Sequence, residues 1–187
     1  MCIRDSPGIG QEASMAGIAA GMEDTDIFGG THRDLGVQIK KGVTLKEIAL
    51  NFFGKHDGPS KGRDGNSHFG VVDKGTLMVV SPLPDSAPVA VGWALASQQS
   101  GSGVVAVANC GEGATATGTW HESINMAGVL NLPVVFTVQN NQFAYSSPNE
   151  TEFGTPNVAD RAAGYGCLLY TSPSPRDLST SRMPSSA

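Results

Sequence analysis

The chain is short of cysteine, of aromatic side chains and of charge: 187 residues carry three cysteines, 6 % aromatic and 16 % charged residues. Two of the cysteines, Cys2 and Cys167, lie in terminal stretches set apart below. Cys110 then stands alone, no disulfide framework is possible, and a reducing, cytoplasmic location is expected. Twelve basic residues against seventeen acidic ones give a net charge of −5. That is a poor match for nucleic acid or an anionic membrane surface. No apolar run approaches bilayer-spanning length, so neither nucleic acid nor membrane is expected as a partner. "GEGATATG" (111–118) is not a G-x-G-x-x-G fingerprint, and there is no P-loop lysine. An anionic ligand would therefore need a metal ion or a few well-placed cations.

The two ends read as something other than native protein. "MCIRDS" (1–6) back-translates to ATG TGT ATA AGA GAC AG, whose reverse complement contains codons for Cys167–Thr171. One DNA element, resembling a transposon-type sequencing adapter, thus flanks the insert in opposite orientations. Residues 1–6 and 167–187 are expected to be adapter-derived, the tail without a core to join. Setting aside Arg4, Arg176, Arg182, Asp5 and Asp177 leaves nine basic and fifteen acidic residues, a net charge of −6. What remains, 7–166, is one domain's length of chain.

Within it, "GQEASMAGIAAGM" (10–22) reads as a small-residue helix, and "GGTHRDLGVQIKKG" (29–42) as a short helix between glycines. Thr44 and Glu47 have capping-box spacing. Leu45, Ile48, Ala49, Phe52 and Phe53 repeat with helical period and predict an amphipathic helix. "GKHDGPSKGRDGNSHFG" (54–70) is a long polar loop, a length that tends to be functional or disordered. "GTLMVVSPLPDSAP" (75–88) predicts a short strand and a proline-punctuated turn, with Ser86 capping a helix to about Gln99. "GVVAVANC" (103–110), "TGTWHESINMAGVLN" (117–131) and "LPVVFTVQN" (132–140) then read as buried strand, helix and second buried strand. Such a βαβ unit has parallel strands.

A right-handed crossover brings the C-terminal ends of both strands to one sheet edge, where ligands of open α/β sheets bind. Gly111-Glu112-Gly113 ends the first strand and Asn140-Asn141 the second. Glu112 and Asn141 can converge there, offering a carboxylate and an amide carbonyl. Magnesium takes few protein oxygens and completes its octahedron with water and substrate phosphates. The flanking glycines let backbone approach such phosphates, and the amides opening the next helix favour an anion. The same residues also allow a plain helix cap at Glu112 and an ordinary turn at Asn140-Asn141.

Gly-Glu-Gly followed after a crossover helix by Asn-Asn resembles the thiamine diphosphate motif. "GQEA", "THRDLG", "GRDGNSHFG", "VSPL", "GEGATATGTWHESIN", "LPVVFTVQNNQFAYSSP" and "DRAAGYG" occur in the order seen in alpha subunits of 2-oxo acid dehydrogenase first components. These include the pyruvate, branched-chain and acetoin types. The resemblance covers essentially all of 7–166. It implies an α/β parallel-sheet, thiamine diphosphate-binding fold, truncated at its C-terminal end, and an oxidative decarboxylation with acyl transfer to lipoamide. The cofactor would supply the difficult chemistry. Its implied partners are a beta subunit within a heterotetramer, a lipoyl-bearing acyltransferase and a small 2-oxo acid. An acetoin dehydrogenase subunit, and an inert partial binding domain, stand beside that reading.

By the same resemblance, Glu112, the Asn141 side chain and the Phe143 backbone carbonyl are magnesium ligands. Gly113 and Ala114 line the diphosphate, Arg33 contacts it, and His32 stands where branched-chain members have tyrosine. Ser81 and Leu83 lie beside the cofactor's organic rings, Leu83 as the wedge that bends it. Gln139 adjoins the diphosphate where branched-chain members carry arginine, so one cation is lost. "VSPLPDS" keeps only part of a potassium-site pattern. No catalytic acid or base is implied in this chain, since the activating glutamate belongs to the beta chain. The histidine loop that helps hold the diphosphate falls beyond Gly166. Arg33 also allows an ion pair with Asp34, and Leu83 plain core packing. His68 fits either a substrate channel or a cap of its own loop. His121 and Asn125 read as structural hydrogen-bonding groups, His56 as solvated, and Cys110 as a small buried hydrophobe.

Overall fold

A computed structural model describes residues 8–167. Residues 1–7 and 168–187 lie outside the described residues, and with them nearly all of the two stretches read as adapter. Three parallel strands form the central sheet in the order β1 (Ile27–Gly29), β2 (Ala106–Gly111), β3 (Val134–Gln139). The β2–β3 register runs from Ala106 opposite Val134 to Gly111 opposite Gln139. The predicted βαβ unit is therefore present, its crossover made by α5 (Gly118–Leu130).

Side-chain alternation divides the sheet into two faces. Ala106, Ala108 and Cys110 pack on α4 (Ser86–Ser100) and α5, with Ala87, Ala90, Val91, Ala94, Trp120, Ile124 and Ala127. Alanines on both sides of this contact let helix and sheet approach closely. The Trp120 ring stands edge-on to Phe136, 5.3 Å between centroids. On the other face Phe28 and Val107 pack with Met15 and Ala19 of α1 (Glu12–Ala20) and Val37 of α2 (Leu35–Lys40). The layers are helix, sheet, helix.

Three expectations need correction. β3 is not a buried strand: it lies at the sheet edge among the described residues, and Val135 is 50 % exposed. The 76–80 segment forms no strand. It joins the sheet by one parallel bridge, where Phe28 N donates to Gly75 O and Leu77 N to Phe28 O at 2.8 Å each, before Pro82 and Pro84 end its supply of amide donors. Ser86 is the first residue of α4 rather than its cap, and Asp85 at the cap position makes no side-chain capping bond.

The predicted amphipathic helix is present as α3 (Leu45–Phe52). Its capping box forms as expected, with Thr44 N donating to Glu47 Oε2 at 2.7 Å and Glu47 N to Thr44 Oγ1 at 3.2 Å. Its apolar stripe is not buried: Leu45 is 72 % and the following Phe53 77 % exposed. The buried residue is Asn51, whose Nδ2 donates to Asn66 O at 2.8 Å and whose Oδ1 accepts from Ser60 N at 3.1 Å. Polar pinning to the 54–70 loop, not apolar burial, decides which side of α3 faces inward.

Lys74 adds a second hold on this helix, 2.7 Å from Glu47 Oε2. The Lys74 contact, then hydrogen bonds from Thr44, lower the Glu47 pKa from 4.5 to about 2. A depressed folded-state value means that stabilisation is complete above pH 4.5 and is lost as the pH falls towards 2. Lys74→Met should therefore make the thermal midpoint less sensitive to pH between 4.5 and 2. An unchanged slope would assign no role to the pair.

Candidate functional site

The site is built where the strands end. Because β2 and β3 are parallel, Gly111 and Gln139 finish side by side, and Glu112 and Asn140-Asn141 follow on one rim. After Gly111 the chain tightens into a 3-10 turn, Glu112–Ala116, held by Thr115 Oγ1 donating to Glu112 O at 2.6 Å. Arg161 Nη1 donates to Thr115 O at 3.0 Å and its guanidinium lies 4.8 Å over Phe153. This pins the 158–165 turn, which carries the "DRAAGYG" segment, beneath the rim.

Glu112 is 1 % exposed, and its Oε1 has no hydrogen-bond partner. A buried carboxylate oxygen without a donor is costly, of order 1–3 kcal/mol or more, and a cation relieves that cost. Asn141 is exposed, its Oδ1 accepting from Phe143 N at 2.9 Å. Asn140 Oδ1 accepts from Gln142 N at 2.8 Å and from Asn149 Nδ2 at 3.0 Å. The Asn-Asn turn thus leads into the hairpin β4 (Phe143–Ala144) and β5 (Ser147–Pro148). Gly113 allows that hairpin to close on the rim: a Cβ there would sit 2.3 Å from Ala144 Cβ. Phe143 is thereby brought beside the turn after Glu112.

On the α1–α2 face of the rim lies a group the sequence reading did not single out as a site. Asp34, 0 % exposed, accepts from Thr31 N (2.7 Å), Thr31 Oγ1 (3.0 Å), Asn109 Nδ2 (2.8 Å) and Gln139 Nε2 (2.9 Å). Thr137 Oγ1 extends the network to Asn109 Oδ1 at 2.8 Å. The donors are all neutral, and they come from the loop after β1, from β2 and from β3. The expected alternative pairing of Arg33 with Asp34 is absent from this set. Arg33 Nη1 is buried without a partner, and Nη2 lies 4.0 Å from the position a Gly111 Cβ would take. An unpaired guanidinium over the end of β2 suits an anion. The signal that could have found Asp34 was its alignment after "GGT", beyond a strand and a turn.

The remaining residues spread around this centre. His32 is half-buried next to Arg33, and Ala114 half-buried within the 3-10 turn. Ser81 is exposed and Leu83 half-buried, on the loop before α4. His68 contacts its own loop, with Nδ1 3.4 Å from Asp64, and its Nε2 lies 3.5 Å from Ser81 Oγ. His121 bonds Tyr165 through Nδ1, Asn125 is exposed, and His56 is solvated beside Asp57. Among the described residues no cluster of three or more His, Cys, Asp or Glu could hold a metal. One carboxylate with neutral hard oxygens at the rim is a donor set for magnesium rather than for a transition metal. Two hollows, about 400 Å³ beside α1 and about 510 Å³ between the 72–82 segment and α4, leave Glu112 and Arg33 outside. No helix of the described residues is long and apolar enough to cross a membrane.

A parallel sheet between helix layers, with its polar residues gathered at the C-terminal rim, is an α/β fold whose ligand site is expected at that rim. The fold aligns, at a TM-score of 0.51 and 17 % identity, with a candidate thiamin diphosphate-dependent enzyme from Mycobacterium smegmatis, covering 84 % of this chain and 25 % of that one. A sequence model of the dehydrogenase E1 component matches residues 6–171, and the chain belongs to that family. It is 37 % identical over 167 residues to the alpha subunit of acetoin:2,6-dichlorophenolindophenol oxidoreductase of Cupriavidus necator, covering 87 % of this chain and 50 % of that protein. It is 36 % identical over 159 residues to the 2-oxoisovalerate dehydrogenase alpha subunit of Bacillus subtilis, covering 84 % and 48 %. The chain spans about half the length of these relatives.

Two outcomes test the geometry. Asp34→Ala strands several buried donors and should cost about 3 kcal/mol or more, read as a lowered midpoint in denaturant. Burial first, then the neighbouring Glu112 and Asp34 carboxylates, push the Cys110 thiol far above its ordinary pKa. Cys110 should resist iodoacetamide at pH 8.5 in the folded protein and react after denaturation, as peptide mass mapping would show.

Proposed function

We propose that this chain is the diphosphate-holding part of the alpha subunit of a 2-oxo acid dehydrogenase first component. Glu112, the Asn141 side chain and the Phe143 carbonyl would hold Mg2+. Arg33, Gly113 and Ala114 would hold the diphosphate, with His32 and Gln139 bordering it. Ser81 and Leu83 would lie against the organic rings. When bound, thiamine diphosphate supplies the nucleophilic carbon and the electron sink for decarboxylation. The protein's own residues bind, orient and shield. Glu112 supplies the negative charge that retains the metal, Arg33 offsets that of the diphosphate, and Leu83 favours a bent conformer by contact. The single observation that carries this reading is the buried, unpartnered Glu112 Oε1 at the shared rim of two parallel strands.

A beta subunit as partner belongs to the same proposal, and its support is the likeness to proteins that are alpha subunits. Acyl transfer to a lipoyl-bearing acyltransferase, a small 2-oxo acid substrate and a cytoplasmic location belong to the same proposal. So does the adapter origin of residues 1–6 and 167–187, which re-amplification of the genomic locus would check. Acetoin is a second substrate reading. Its support is the resemblance to the Cupriavidus protein and Gln139 in place of the arginine of branched-chain members. Turnover of acetoin against pyruvate and branched 2-oxo acids by the full-length complex separates the two.

The cofactor assignment is tested by calorimetric titration of thiamine diphosphate into the full-length alpha–beta complex, with and without Mg2+. Loss of a direct metal ligand should exceed the 10–100-fold effect typical of outer-shell groups. Glu112→Ala is therefore expected to weaken Mg2+-dependent binding by about a hundredfold or more. Equal affinity of wild type and variant would remove the metal assignment.

A further inference from the structure

Among the buried polar atoms without a hydrogen-bond partner are Glu112 Oε1, Arg33 Nη1 and Gln139 Oε1 at the rim. The first is an anion awaiting a cation, and the second a donor awaiting an acceptor. The third cannot serve a diphosphate, because a carbonyl oxygen and a phosphate oxygen are both acceptors. Nor is its orientation free. Gln139 Nε2 donates to Asp34 Oδ1 at 2.9 Å, and reversing the amide would set Oε1 against a carboxylate oxygen. Asp34 thus turns the Gln139 acceptor away from itself.

The register says which donor is near. Gly111 and Gln139 are direct partners across β2 and β3, so their side-chain directions share one sheet face. Arg33 Nη2 lies 4.0 Å from the position a Gly111 Cβ would occupy. The guanidinium therefore stands on the face of Gln139, about one strand spacing away, roughly 5 Å. An unpartnered donor and an unpartnered acceptor are thus both buried on one sheet face, over the ends of adjacent strands.

We propose that Gln139 is a positioning residue for Arg33: its Oε1, aimed by Asp34, accepts a hydrogen bond from Arg33 Nη1 and holds the guanidinium towards the diphosphate. This rests on the diphosphate reading of the rim and changes the role of Gln139 within it, from a group bordering the cofactor to one that acts through another side chain. Asp34, Gln139 and Arg33 then form a line from a buried carboxylate to the anion site. The remaining guanidinium donors are left for phosphate oxygens.

A double-mutant cycle tests this. Thiamine diphosphate with Mg2+ is titrated calorimetrically into the full-length alpha–beta complex carrying Gln139→Met, Arg33→Ala, or both. A hydrogen bond to a charged group implies that Gln139→Met weakens binding roughly tenfold when Arg33 is present. In the Arg33→Ala background the same change should cost less than about twofold, because Gln139 has nothing left to position. A purely structural role would lower affinity equally in both backgrounds, so an undiminished loss without Arg33 overturns the proposal. No loss in either background overturns it as well. If Arg33→Ala itself leaves affinity unchanged, the diphosphate reading fails, and this inference with it. Gln139→Asn, which keeps an amide but withdraws it by one methylene, gives the same comparison should the methionine variant fold poorly.

Discussion

Asp34 is a carboxylate with no exposure to water and, among the described residues, no cation among its hydrogen-bond donors, and the rim is organised around it. Removing a carboxylate from water is expensive unless its lone pairs are filled. Here they are filled by neutral donors: a backbone amide and hydroxyl from Thr31, and amides from Asn109 and Gln139. Each comes from the end of a strand or the loop following it. Satisfying one carboxylate therefore fixes three chain segments relative to one another. The same saturation explains why Arg33, its neighbour in sequence, is not neutralised by it. Had Arg33 paired with Asp34, the rim would hold one compensated ion pair and no free cation.

The two sheet faces do different work. On one, Ala106, Ala108 and Cys110 meet the alanines of α4, and the contact is dry and tight. On the other, apolar packing through Phe28, Val37 and Val107 gives way to the polar network as the strands reach their C-terminal ends. Glu112 comes directly after that change, where the chain leaves the sheet and tightens into a 3-10 turn. Its carboxylate is buried by the turn that carries it, and the β4–β5 hairpin closes over Gly113. One buried carboxylate and one guanidinium thus come to the C-terminal end of β2.

Much of the fold was legible because it depends on short-range rules. The capping box at Thr44, the βαβ period of 103–140 and the glycines around Glu112 are local patterns, and each appears where it was expected. The apolar run of β3 was read as a buried strand, yet Val135 is exposed; the apolar stripe of α3 forms with its helix, yet Phe53 beside it is also exposed. Periodicity tells a helix from a strand but not which neighbour will cover it. For α3 the deciding contact was Asn51 with the distant loop, an interaction with no local signature.

From the sequence alone came the meeting of the β2 and β3 ends at one sheet edge, with Gly111 opposite Gln139, since parallel strands joined by a crossover helix end on the same side. The family resemblance and the residues it points to came from the same source. Only the tertiary structure decided that Asp34 would be the hub, that Gln139 would turn its carbonyl away from it, and that Arg33 would be left without a counter-ion among the described residues. Those outcomes depend on competition for hydrogen bonds among groups 75 and 105 residues apart along the chain. Such competition is settled by which donor reaches a buried carboxylate first in space, and spacing along the sequence carries no record of it.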